Sequence, residues 1–216
     1  MPILINLVAT RCIDGDHAML FRWYNDHVHL LMGCETLQAA TLYRRNGESA
    51  SGAPEYLCLY EFASHAGFLE FEGSDARSRA QAVVRDGWGR TGIEIIQRTQ
   101  FERLGRFAGA ATDSVYQVAI LSLGPAPASD IARWMNDRVH ASGGDAPGER
   151  AWHRAWGAND AGGDALVLAQ AGEAPAGGAA FDAGQGGRAD LDFGTRPVRL
   201  RLRWQAAYRR LRRWER

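Results

Sequence analysis

The chain has 216 residues, 46% of them apolar and 23% charged, enough material for a real core and the balance of a globular protein. Its 25 basic residues, all arginine, equal its 25 acidic ones, so no net field favours nucleic acid or a membrane surface. Cys12, Cys34 and Cys58 are odd in number and lack metal-ligand spacing, which reads as reduced thiols in a cytoplasmic protein. The opening apolar run is too short for a signal peptide or a membrane span.

Residues 3–9 (Ile-Leu-Ile-Asn-Leu-Val-Ala) form a buried-strand pattern in which Asn6 is the polar exception. Asp14-Gly15-Asp16 offers N-caps for a helix ending near Gly33. On that helix Met19, Leu20, Trp23, Tyr24, His27, Leu30 and Leu31 share one face, with Arg22, Asn25 and His29 roughly opposite. Residues 37–45 read as a second strand and Tyr56 to Phe62 as a third, joined by a Gly/Ser/Pro-rich turn. Ser64 caps a helix to about Glu72, Gly73-Ser74-Asp75 breaks it, and a second helical piece reaches roughly Asp86. Ile93 to Leu104 is a fourth strand, and the order βαββαβ is that of a split βαβ, or ferredoxin-like, unit.

The helix carries a motif that the chain writes twice. Arg22-Trp23-Tyr24-Asn25-Asp26-His27-Val28-His29 returns as Arg133-Trp134-Met135-Asn136-Asp137-Arg138-Val139-His140, six of eight positions matching at an offset of 111. An offset near half the length points to duplication. Val115 to Leu123 then repeats the first strand, with Gln117 falling at the position of Asn6. Ser129 or Asp130 caps the second motif helix, and Glu149 to Trp156 and Asp164 to Gln170 stand as strands. Gly172 to Gly194, dense in Gly and Ala, reads as a loop or short turn where a second helix has eroded. Pro197 to Trp204 alternates apolar residues with Arg199, Arg201 and Arg203. The expected organisation is α+β: two ferredoxin-like repeats, 1–105 and a degenerate 114–208, forming a single-chain dimeric α+β barrel, then a basic tail at 209–216.

Three segments carry a family resemblance: Trp23-Tyr24-Asn25-Asp26-His27, Ala40-Thr41-Leu42-Tyr43-Arg44-Arg45, and Tyr56-Leu57-Cys58-Leu59-Tyr60-Glu61. Together they resemble the "WYN-x-H … ATRYR … YLALYE" run of EthD-like members of the dimeric α+β barrel superfamily. The likeness covers residues 3 to about 105, and the second half only through its motif helix. It implies a small-molecule fold shared by cofactor-free monooxygenases, polyketide cyclases, muconolactone isomerases and haem enzymes, and so does not select a reaction. The Pro and Gly that often follow the helical histidine in that family are replaced here by His29-Leu30-Leu31 and Cys34-Glu35.

His27 lies mid-face on the apolar stripe. It is either a core histidine bonded to a backbone carbonyl or to Glu61, or a general acid/base. Tyr43, Tyr56, Tyr60 and Cys58, with Trp152 and Trp156, occupy alternate strand positions and read either as core or as the lining of a cleft between two sheets. Asn6 and Gln117 are buried amides that need partners, expected to meet across the pseudo-twofold. Arg199, Arg201 and Arg203 either face solvent or hold a carboxylate in the cleft.

No HExxH or facial-triad spacing supports a metal, and no GxSxG, P-loop or GxGxxG supports hydrolase, NTPase or nicotinamide chemistry. The expected protein is a monomer or homodimer that binds a small organic molecule, with no tightly bound cofactor and no nucleic-acid or membrane partner. As an enzyme it would use His27, Tyr43 and Tyr60 in catalysis, with Asn6, Gln117, Cys58, Trp152, Trp156, Arg199 and Arg201 binding an aromatic or polyketide-like substrate. The alternative is a non-catalytic ligand-binding or protein-interaction module.

Overall fold

The computed structural model describes residues 3–47, 52–107, 115–123, 129, 133, 150–155, 163–171, 188–192 and 197–216. The chain divides into two compact units: Met1–Arg44, Pro54–Gln100 and Arg210–Arg216 form the first, Arg45–Ala53 and Phe101–Arg209 the second.

In the first unit, β1 (Leu4–Cys12) leads through α1 (His17–Leu31) to β2 (Leu37–Arg45) and β3 (Tyr56–Phe62). Two helices, α2 (His65–Glu72) and α3 (Asp75–Thr91), then lead into β4 (Ile93–Phe107). The strands lie in the order β2-β3-β1-β4, with β3 antiparallel to both β1 and β2. Strand β1 is buried on both faces, which is why its sequence is a nearly unbroken apolar run. One face carries Leu4 and Val8 and, through the register Val8↔Cys58 and Leu42↔Cys58, joins the residues that pack under the helices. Leu20, Tyr24, Val28 and Leu31 of α1 and Phe68 and Phe71 of α2 complete this core.

The helix boundaries follow side-chain caps. Asp16 accepts from the Met19 amide at 2.8 Å, Ser64 from Gly67 at 3.1 Å and Ser74 from Arg77 at 3.2 Å. Ser74 thus restarts the helix that Gly73 ends, as the sequence predicts. The second piece runs past the expected end near Asp86 to Thr91, because the stop is Gly92 in a left-handed conformation (φ 52°). The Asp14 carboxyl occupies the space that a Cβ at Gly92 would fill.

One expectation is corrected here. The basic segment 209–216 is not a tail but the end of β9 (Pro197–Glu215), and Arg210–Arg216 belongs to the first unit. The end of β9 runs beside β2, and the Arg216 amide donates to the Gln38 carbonyl at 3.3 Å. Trp214 is buried in the core, and Arg213 donates to Glu61 at 2.7 Å and to the Thr41 hydroxyl at 2.8 Å. Alternating Arg with Leu and Trp concealed a half-buried strand behind its charge count.

The second unit holds the end of β4, β6 (Arg150–Ala155), β7 (Gly163–Ala171), β5 (Val115–Leu123), β9 and β8 (Arg188–Asp192) in that spatial order, each antiparallel to its neighbours. The strand β5 begins and ends 111 residues after β1, and the order β6-β7-β5-β9 repeats β2-β3-β1-β4. Strand β8 corrects the expectation of a loop or turn throughout Gly172 to Gly194. Arg-Ala-Asp-Leu-Asp alternates with period two, a pattern masked by the Gly/Ala-rich residues around it. Of the second motif helix, Ser129 and Arg133 are helical, while Trp134, Asn136, Arg138 and His140 lie outside the described residues. The compact units also differ from the expected contiguous halves 1–105 and 114–208, since residues of β4 and β9 are divided between them.

Candidate active site

The first unit contains a cavity of about 90 Å³ between the helix-covered face of its sheet and the helices. Asn6, Val8 and Thr10 of β1 form its floor with Tyr60 of β3, because alternate β1 residues point to this face and Asn6 pairs with Tyr60. Trp23, Tyr24, His27 and Leu31 come from successive turns of α1. Phe71 and Glu72 close the α2 side, Arg77 and Gln81 the α3 side, and Ile93, Ile95 and Arg98 come from β4. This cavity lies wholly within the first unit, between its sheet and its helices.

Asn6 is 5% exposed, and its side chain makes no hydrogen bond among the described residues. An unsatisfied buried amide oxygen costs roughly 1–3 kcal/mol. We therefore expect Asn6→Leu, nearly isosteric and apolar, to raise stability by about 1–2 kcal/mol in urea unfolding. A loss of stability would mean that the amide has a structural partner.

His27 stacks on Trp23 with ring centroids 4.7 Å apart, and its buried Nδ1 has no hydrogen-bond partner among the described residues. Burial pushes its pKa down to about 4; the Ala80 carbonyl opposes that shift in part, and the Arg98 charge adds to it. The imidazole is neutral at pH 7. Glu61, one expected partner, is instead bound by Arg213. The folded-state pKa lies below the ordinary 6.5, so between these values the unfolded chain binds the extra proton. The stability that His27 contributes is therefore fully present above pH 6.5 and is lost as pH falls toward 4, by about 3 kcal/mol. Urea midpoints measured from pH 7 to pH 4 should fall less steeply for His27→Gln than for the wild type.

Tyr60 is buried, and desolvation raises its hydroxyl well above the usual tyrosine range, so it serves as a neutral hydrogen-bonding group. Tyr24 is likewise held neutral by burial and shares a 2.9 Å hydrogen bond with Thr10. Cys58 is fully buried on the same sheet face, outside the cavity lining, and burial lifts its thiol to about 12. That leaves it inert as a nucleophile. Tyr43 pairs with Leu57, one residue out of phase with Cys58, and so faces the opposite side of the sheet. The side chains of Gln117, Trp152, Arg199 and Arg201, and all of Trp156, lie outside the described residues. Arg203, on the same ladder, pairs with Asp164 of β7.

Of the predicted residues, the structure brings Asn6, His27 and Tyr60 together. Sequence reading missed Arg98, an exposed residue with no ion pair among the described residues, and the Glu72–Arg77 pair at 2.8 Å. Arg98 carries little local signal because it lies in a polar stretch of β4 (Gln-Arg-Thr-Gln). Trp23 was marked by its place in the repeated motif.

No protein-family model matches the chain, and no curated protein matches it in sequence. Solved structures do match. An anthrone oxidase-like protein superposes over 99% of this chain and 93% of its own with a TM-score of 0.55 at 10% identity. A provisionally named monooxygenase from Fusobacterium nucleatum subsp. nucleatum superposes over 78% of this chain and 75% of its own, with a TM-score of 0.51 at 10% identity. At 10% identity these likenesses show a shared fold and leave the reaction to the site. No described helix is long and apolar enough to cross a membrane, and no cluster of potential metal ligands occurs among the described residues.

Proposed function

We propose that the protein is an EthD-like, tandem-duplicated enzyme of catabolism or secondary metabolism acting on a small aromatic or polyketide-like compound without a tightly bound cofactor. The observation that carries this reading is the unspent polar equipment of the cavity in the first unit. Among the described residues, the buried Asn6 Oδ1 and His27 Nδ1 have no hydrogen-bond partner, and they stand on aromatic and aliphatic walls. A core that served only stability would have satisfied or replaced such groups. Supporting the duplication are the repeated motif and the recurrence of one strand order at an offset near half the chain.

In this reading His27 is the acid/base. Neutral at working pH, it takes a proton from an acidic O–H or activated C–H of the substrate and returns it to the product, which serves cyclisation, isomerisation, lyase chemistry or the first step of a cofactor-free oxygenation. Tyr60 and Asn6 orient the substrate by hydrogen bonds, and Trp23 and Tyr24 supply flat apolar surface. Native mass spectrometry of the purified protein tests the reading. A co-purifying aromatic molecule that is retained by the wild type, and turned over by it but not by His27→Gln, is the expected result. Turnover unchanged in His27→Gln would remove the catalytic assignment and leave a binding module.

A further inference from the structure

Resting on the reading of this cavity as a small-molecule site, we infer that it is selective for a singly charged aromatic anion bearing a hydroxyl group, with Arg98 taking the anionic group and Asn6 the hydroxyl. The charge inventory of the walls carries the argument. Glu72 and Arg77 form a 2.8 Å ion pair and cancel. Both lining phenols, Tyr24 and Tyr60, are held neutral by burial, and His27 is neutral at pH 7. What remains is the guanidinium of Arg98, which has no ion pair among the described residues, so the cavity keeps one uncompensated positive charge. One monoanion neutralises it; a neutral molecule leaves it unspent, and a dianion brings a charge with no partner.

The second recognition element is independent of charge. Asn6 is 5% exposed on the cavity floor and offers an acceptor oxygen, which has no partner among the described residues, and two N–H donors. A hydroxyl can both donate to that oxygen and accept from that nitrogen, whereas a bare ring edge leaves the amide as it is. A cavity of about 90 Å³ is small beside the roughly 300–1,000 Å³ of typical ligand pockets, which favours a single ring over a fused polycycle.

Salicylate, benzoate and salicylamide separate these contributions when titrated by calorimetry at pH 7. Salicylate should bind the wild type about tenfold more tightly than neutral salicylamide, the worth of one charge-assisted contact. In Arg98→Gln that preference should vanish while salicylamide binding stays as it was. Salicylate should also exceed benzoate several-fold, and Asn6→Leu should erase that margin and leave the charge preference intact. Arg98 is exposed, so its replacement does not threaten the fold. Equal binding of salicylate and salicylamide, or a charge preference that survives Arg98→Gln, overturns the inference while leaving the small-molecule reading in place. Binding of none of the three at millimolar concentration also overturns it, whereas the broader reading stands or falls on the co-purification and turnover experiment.

Discussion

Trp214→Ala is expected to destabilise the first unit by roughly 3–5 kcal/mol, the usual cost of emptying a large aromatic site in a packed core. Trp214 is 8% exposed and belongs to the same cluster as Leu4, Tyr24 and Phe62. Against a typical total stability of about 5–15 kcal/mol, such a loss threatens folding outright. Leu211, three residues earlier on the same strand and 36% exposed, is the matched control and should cost well under half as much as an alanine variant. Urea unfolding of both variants decides the matter: equal costs would mean that the end of β9 contributes charge but no packing.

The larger kinetic effect is expected at His27. If His27 is the proposed acid/base, His27→Gln should lower turnover of a co-purifying substrate by about 10²- to 10⁴-fold while binding changes little. The pH profile gives the more diagnostic readout. In the proposed mechanism the neutral imidazole is the active form, so kcat/KM of the wild type should hold down to mildly acidic pH and fall as pH drops through about 4. Arg98→Gln removes a positive neighbour and should shift that limb upward; burial, the larger cause, keeps it below the ordinary histidine range. An acid limb identical in wild type and His27→Gln would assign the proton transfer elsewhere.

Much of the first unit is legible in the sequence because its signals are local. The apolar run of β1, the Asp16 and Ser64 caps and the break at Gly73-Ser74 each act within a few residues. Asn6 and His27 announced themselves as polar intruders on apolar stripes, and both line the cavity. The missed features depend on distant partners. Whether Arg98 faces solvent, an ion pair or a cavity depends on what α1 and β1 bring near it, and no pattern within β4 encodes that. Tyr43 and Tyr60 look alike as strand aromatics, and the register with β3 alone puts them on opposite faces. The end of β9 was hidden for the same reason, since Trp214 acquires its burial from a core built by the first hundred residues.

That last arrangement bears on the order of events during synthesis. The cavity-bearing unit draws on residues separated by more than a hundred positions of intervening chain, so synthesis through Gln100 delivers only part of its packing. Until Arg213 and Trp214 leave the ribosome, their contacts with Glu61 and the core are unmade and the β2–β9 pairing is unformed, a topology of high contact order exposed to misassociation. The first unit therefore completes its packing late, after the intervening chain has already emerged.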